Sequence, residues 1–176
     1  MTITDGAAVA TSVSASRTRW PLWTALAFAL LFLLSSFVAP PPPKLTASGA
    51  EVARYYREHA GGVRLAAWLG VISAVPYAIF VCWVRSVLRG IWRDVSFLGG
   101  VGVGLLTTAW LWLTTGPALH PGVLQPATAR TIADVAAVYG PTLTAAAVLF
   151  AAPVALDALR RGSGFARWVG IVSAIL

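Results

Sequence analysis

Residues 65–84 read LAAWLGVISAVPYAIFVCWV and contain no charged side chain. A helix of about 20 such residues is long enough to cross the roughly 30 Å hydrocarbon core of a bilayer. Uncharged stretches of at least that length also occupy residues 20–43, 95–129 and 135–156. The sequence therefore predicts an all-α fold, a polytopic bundle of transmembrane helices.

The composition of the whole chain agrees with a membrane protein. Of its 176 residues, 58% are hydrophobic and 11% are charged, whereas about a quarter of the residues of a soluble domain are charged. This composition excludes a soluble globule and an intrinsically disordered chain. Cys82 is the only cysteine, so no disulfide forms within the chain and a disulfide-stapled secreted domain is excluded as well.

Helix-breaking residues divide the uncharged stretches into spans. Gly116, Pro117 and the prolines after them predict that the stretch 95–129 holds one span followed by a loop. The last residues begin a fifth span that is too short to cross a bilayer, which predicts a fragment of a longer protein. The predicted organisation is a disordered cytoplasmic tail at 1–19 and a transmembrane domain at 20–176, with spans at about 20–39, 65–84, 97–116 and 132–156 and an incomplete span at 168–176.

The first apolar stretch, which follows Arg17 and Arg19, has two interpretations: a cleaved signal peptide or a retained span. It is longer than the apolar core of about 7–15 residues that signal peptides contain. Pro40 would also directly follow the cleavage site, which is unfavourable. We therefore expect a retained first span.

A short helix is predicted between the first two spans. Ser48 and Glu51 have the spacing of a capping box, in which each side chain accepts a hydrogen bond from the backbone of the other residue. Val52, Tyr55, Tyr56 and His59 follow at helical spacing and form one face, while the charged residues fall mainly elsewhere. The segment predicts a short extracytoplasmic amphipathic helix, lying on the membrane surface or packed over the bundle.

The excess of basic residues predicts an orientation. Lys and Arg outnumber Asp and Glu by 13 to 6, and in multipass proteins basic residues gather in cytoplasmic segments, so the excess does not indicate nucleic-acid binding. A cytoplasmic N-terminus in the cell (inner) membrane places eight basic residues inside and five outside. The extracytoplasmic Arg54, Arg57 and Arg64 run against this bias and are candidate contacts for a lipid headgroup or a partner protein.

Small residues four positions apart let two helices approach closely in a membrane. Gly100 and Gly104 have this spacing in the third span, and Ala166, Gly170 and Ala174 have it in the incomplete fifth span. We predict that these residues pack against other helices, within the chain or between copies of it. The glycines do not match a phosphate-binding loop, because no Lys-Ser or Lys-Thr pair follows them.

Two functions remain open. No nucleophile or zinc-protease motif occurs, and no complete span has a charged residue at its centre. We predict a non-enzymatic scaffold, regulator or assembly partner without cofactor or metal, whose partners are the lipid bilayer and a membrane protein or a second copy of the chain. The alternative is a carrier or channel for a small apolar or lipid-like solute, with a kink at Pro76. It would use the hydroxyls of Thr107, Thr108, Thr114 and Thr115, unless these bond carbonyls of their own helix.

Three stretches carry a resemblance to a known family. They read VARYYREHAGGVRLAAWLGVISAVPYAIFVCWVRSVLR at 52–89, QPATARTIADVAAVYGPTLTAAAVLFAAPVALDALRRG at 125–162 and ARWVGIVSAIL at 166–176. Together they resemble an uncharacterised family of actinobacterial multipass membrane proteins, a domain of unknown function. Its members usually have about six spans, so the resemblance implies that further spans follow Leu176. It implies no catalytic residue, because the family has no established activity.

Overall fold

The computed structural model describes residues 20–161, and these form a helical bundle with no β-strand. Four of the helices are long and apolar enough to cross a membrane. The predicted all-α bundle of membrane-spanning helices is therefore confirmed. The predicted tail at 1–19 and the predicted fifth span, with Ala166, Gly170 and Ala174, lie outside the described residues. The helices are α1 (Trp20–Val38), α2 (Gly49–Val87), α3 (Ile91–Leu119), the 3-10 helix α4 (Pro121–Val123) and α5 (Pro126–Arg161).

Successive long helices run antiparallel. Phe28 of α1 contacts Tyr77 of α2, and the carbonyl of Val38, ten residues later, faces Gly62. α1 packs chiefly against α2, whereas α2, α3 and α5 contact one another. The connections α1–α2 and α3–α5 therefore lie at one end of the bundle, which we call the cap end. The connection α2–α3 lies at the other, which we call the hairpin end.

The predicted amphipathic helix is the first part of α2 and not a separate helix. It joins the membrane-spanning part at His59, whose φ of −120° and ψ of 15° depart from helical values. Ser48 caps the helix, and both hydrogen bonds of the predicted capping box are present. Of the two predicted positions, the one packed over the bundle is confirmed. Its buried face and the residues of α3 and α5 beneath it are Val52, Ala53, Tyr56, Ala60, Val63, Ala118 and Ala129.

The helices extend further than the predicted spans, except at α1. α3 continues through Gly116 and Pro117 to Leu119, so the predicted break at Gly116 and Pro117 is wrong. A proline inside a helix loses one backbone hydrogen bond, but neighbouring helices compensate for such losses in membrane proteins, and Pro117 is buried. Pro126 instead starts α5, where a missing N–H costs nothing.

Candidate functional site

The glycines of α3 bring three helices together on the hairpin side of the bundle. A Cβ added to Gly99 would lie 2.4 Å from the backbone nitrogen of Phe150, so α3 and α5 meet backbone to backbone. A Cβ on Gly100 would lie 2.7 Å from a valine methyl of α2. Gly104 is looser, with 3.5 Å to the ring of Tyr77. Gly100 thus lies at a helix contact within the chain, and the four-residue pattern missed Gly99.

On the cap side of this contact the helices separate. Two adjoining cavities of about 190 and 570 Å³ lie between α1, α2, α3 and α5. The cavities extend along α3 over residues 103–115. At about 1.5 Å per residue this distance is about 18 Å, which is more than half of the roughly 30 Å thickness of the hydrocarbon core. The residues shared by both walls are Phe32, Thr107, Leu111 and Leu143.

The cavity walls are largely apolar and contain a few hydroxyls. Thr108 and Thr114 donate to carbonyls of their own helix, at 2.8 Å to Gly104 and 2.9 Å to Trp110. Thr107 and Thr115 also line the larger cavity and have no hydrogen-bond partner within residues 20–161. Two of the four threonines therefore keep their hydroxyls available to a ligand.

A polar groove of about 430 Å³ lies at the cap end. Its walls are the segment after the prolines and the first turns of α2, and they contain the side chains of Lys44, Arg54 and Glu58. Lys44 and Arg54 form no ion pair with any residue in the described part of the chain. Glu51 also lines the groove, but the backbone and hydroxyl of Ser48 donate to its carboxylate and hold its pKa below the usual value.

Tyr55 separates the groove from the larger cavity, because its side chain lines both. Its hydroxyl donates to the carbonyl of Pro40 at 2.8 Å, and its ring packs edge-on against His59 with 5.2 Å between centroids. The proline segment 40–43 continues the partition, since Pro43 faces the groove and the three before it face the cavity. A polar compartment therefore adjoins an apolar one at Tyr55.

The structure separates the three predicted arginine contacts. Arg54 lines the groove, Arg57 is exposed outside it, and the Nε of Arg64 donates to the carbonyl of Ala60 at 3.2 Å. The sequence analysis missed Lys44 as a site residue, because its spacing from Arg54 does not show that the two line one groove.

Arg130 of α5 holds the segment that carries Lys44. Its Nη1 donates to the carbonyls of Leu45 and Ala47 at 2.6 and 2.7 Å, and its guanidinium also pairs with Asp134. Four acceptor oxygens of three residues, from two parts of the chain, thus meet at one cation. This arrangement fixes the wall of the groove to the membrane-spanning bundle.

The described residues 20–161 contain no group of three His, Cys, Asp or Glu side chains that could hold a metal ion. In comparisons with known proteins, no family model, no curated protein and no solved structure matches the chain. The resemblance to the actinobacterial family therefore stays a prediction.

Proposed function

We propose that the protein is a non-enzymatic carrier that binds a small apolar or lipid-like molecule between its membrane-spanning helices. The proposal rests on the pair of adjoining cavities, whose volumes are about 190 and 570 Å³. Ligand sites in proteins typically enclose about 300–1,000 Å³, with mostly apolar walls and a few polar groups. The free hydroxyls of Thr107 and Thr115 supply such polar groups.

Packing of the glycines supports this proposal over a scaffold role. The scaffold hypothesis rests on the absence of charged residues at the centres of the spans and on small-residue faces, of which only the one in α3 lies within the described residues. Gly99 and Gly100 instead face α5 and α2 of the same chain. The experiment below distinguishes the carrier from the scaffold.

Filling the larger cavity tests the proposal. Gly140 lines this cavity and has no atom within 4 Å of an added Cβ. Gly140→Leu should occupy the space and reduce the bound ligand by about tenfold or more, because the ligand loses the volume that it needs. Gly116→Leu is the matched control, since Gly116 is also an unobstructed helical glycine but lines neither cavity.

The measurement is mass spectrometry of small molecules that copurify with the full chain, followed by their flux in liposomes. The carrier proposal expects a ligand in the unsubstituted protein and in Gly116→Leu, with binding and flux both reduced in Gly140→Leu. Absence of any ligand together with a stoichiometric protein partner would replace the carrier with the scaffold.

We further propose that the N-terminus is cytoplasmic in the cell membrane, so that the cap end faces outward. The bias of eight basic residues against five supports this orientation. Cysteine labelling tests it in a Cys82→Ser background: Gly122→Cys lies at the cap end and Arg89→Cys at the hairpin end, and both positions are exposed. A membrane-impermeant maleimide should label Gly122→Cys alone in intact cells, whereas labelling of Arg89→Cys alone would reverse the orientation.

A further inference from the structure

We propose that the ligand is a phospholipid whose phosphate lies in the polar groove on Lys44 and Arg54 while one acyl chain enters the larger cavity. This inference rests on the proposed function, and it adds the chemistry and direction of the ligand. The ligand is an amphiphile, because the groove is polar, the cavity is apolar and the two adjoin each other.

The first argument is that the two compartments share a wall. Tyr55 and the proline segment 40–43 line the groove on one side and the cavity on the other. An amphiphile that binds with its polar group among the charged side chains and its chain among the apolar ones must pass this wall, so the hydrogen bond between Tyr55 and Pro40 has to open on binding. The ring of Tyr55 suits this boundary, since a tyrosine has an apolar body and a polar tip.

The second argument is the charge of the groove. Lys44 and Arg54 form no ion pair among the described residues, although the charge of Arg54 helps to hold the pKa of Glu51 below its usual value. Glu51 accepts hydrogen bonds from Ser48 and stays ionised, so the groove holds two carboxylates beside its two cations and suits a headgroup that carries donors as well as a phosphate. Glu58 is the remaining acid of the wall, and it could accept hydrogen bonds from the hydroxyl or ammonium donors that phospholipid headgroups carry beside the phosphate.

The third argument is the depth of the apolar space. From the residues nearest the groove the larger cavity and the smaller one beyond it together reach about 18 Å along α3, so an acyl chain that enters the larger cavity continues into the smaller one. One leaflet contributes about half of the roughly 30 Å hydrocarbon core. The space therefore has the length of one acyl chain that starts at the headgroup level, which places the headgroup at the cap end.

The test is a titration of the purified full chain with two lipids, followed by native mass spectrometry. The lipids are phosphatidylglycerol and a diacylglycerol with the same acyl chains, which lacks the phosphate. Lys44→Gln with Arg54→Gln should weaken phosphatidylglycerol binding by about tenfold or more and leave diacylglycerol binding unchanged. Arg57→Gln with Arg89→Gln removes two charges outside the groove, and this control should leave the binding of both lipids unchanged.

Gly140→Leu separates failure of this inference from failure of the proposed function. If both proposals hold, Gly140→Leu weakens the binding of both lipids, whereas the double substitution in the groove affects only phosphatidylglycerol. If Gly140→Leu weakens both lipids but the groove substitutions change neither, the cavity proposal stands and the phosphate site is overturned. If the unsubstituted protein binds neither lipid in preference to detergent, both proposals fail for these ligands.

Inorganic phosphate distinguishes a lipid site from a free-phosphate site. Phosphate in excess should compete only weakly with phosphatidylglycerol, because it makes no contact in the cavity. Equally tight binding of inorganic phosphate to the protein, lost on substitution of Lys44 and Arg54, would overturn the lipid assignment. High salt should weaken phosphatidylglycerol binding to the unsubstituted chain more than to the groove variant, since exposed charges are screened.

Discussion

The two halves of the bundle pack differently, and α3 contains the cause. In the hairpin half, Gly99 and Gly100 let α3 contact the backbone of α5 and a side chain of α2. In the cap half, α3 instead presents Thr107, Leu111 and Thr114, and the helices there line the two partly open cavities. Helix separation in a membrane depends on the size of the residues at the contact. The same helix therefore packs closely at its glycines and leaves space over the turns that follow, and beyond the cavities it packs closely again beneath the first part of α2.

The two ends of the bundle differ in how their basic residues are paired. At the hairpin end, Asp94 lies 3.6 Å from Arg85 and 3.2 Å from Arg93, so these cations are paired. At the cap end, Lys44 and Arg54 line a groove without an ionic partner among the described residues. The comparison teaches that Asp94 pairs two cations of the hairpin loop, whereas the groove at the cap end leaves two cations without an ion pair even though Arg130 and Asp134 pair nearby.

The largest expected effect is on the close-packed half. Gly99→Ala adds a Cβ that would lie 2.4 Å from the backbone nitrogen of Phe150, so α3 and α5 must move apart. Overpacking of this kind should lower the free energy of unfolding by about 3 kcal/mol. The measurement is denaturant unfolding of the purified protein in detergent.

Gly102→Ala is the matched control on the same helix. Its added Cβ would lie 3.4 Å from the Cβ of Ala146, which is an ordinary contact. Because alanine also favours a helix over glycine, this variant should be neutral or gain up to about 1 kcal/mol. Equal losses in both variants would show that Gly99 does not mark a special contact between α3 and α5.

Hydropathy and charge spacing predicted the fold because a bilayer leaves few choices for an apolar segment. Lipid offers no hydrogen-bond partners, so each uncharged stretch must form a helix. The limits of the helices were harder to predict, since Pro117 would end a helix in water but remains inside α3. Its burial depends on contacts with residues distant in sequence, and these contacts do not appear in the local pattern.

The candidate site was less accessible to sequence analysis than the fold. The capping box and the basic residues of α2 belong to the segment that forms the groove, and Arg54 lines it. The cavities are spaces between helices, and no residue pattern encodes a space directly. Lys44 lies in the same groove as Arg54 because Arg130 holds the segment next to Lys44. The guanidinium of Arg130 binds the carbonyls of Leu45 and Ala47, which are more than 80 positions earlier in the chain.

The second prediction concerns the hydrogen bonds that Arg130 makes at the cap end. Arg130→Met removes the hydrogen bonds to Leu45 and Ala47 as well as the pair with Asp134. Because charged hydrogen bonds contribute about 1.5–3 kcal/mol each and this site is partly exposed, the net loss should be about 2 kcal/mol. Hydrogen exchange should also accelerate in residues 44–48, and phosphatidylglycerol affinity should fall as Lys44 loses its position.

Asp134→Asn is the control for Arg130→Met. It removes one partner of an exposed ion pair but keeps both bonds to the backbone, so the loss should stay below about 0.5 kcal/mol. If Asp134→Asn matched Arg130→Met in exchange and in stability, the ion pair and not the backbone contacts would hold the groove wall.

The smallest expected effect tests whether polar contacts add to the packing of the hairpin half. Ser96 is buried, and its hydroxyl donates to the carbonyl of Phe150 at 2.9 Å, next to the contact made by Gly99. Hydrogen bonds between helices in a membrane average about 0.6 kcal/mol, so Ser96→Ala should lose about that amount. Ser86→Ala should lose nothing measurable, because Ser86 is exposed and bonds its own helix at Trp83. A loss for Ser96→Ala as large as that for Gly99→Ala would mean that hydrogen bonding, and not residue size, holds α3 and α5 together. The glycine would then explain the close approach but not the stability of the hairpin half.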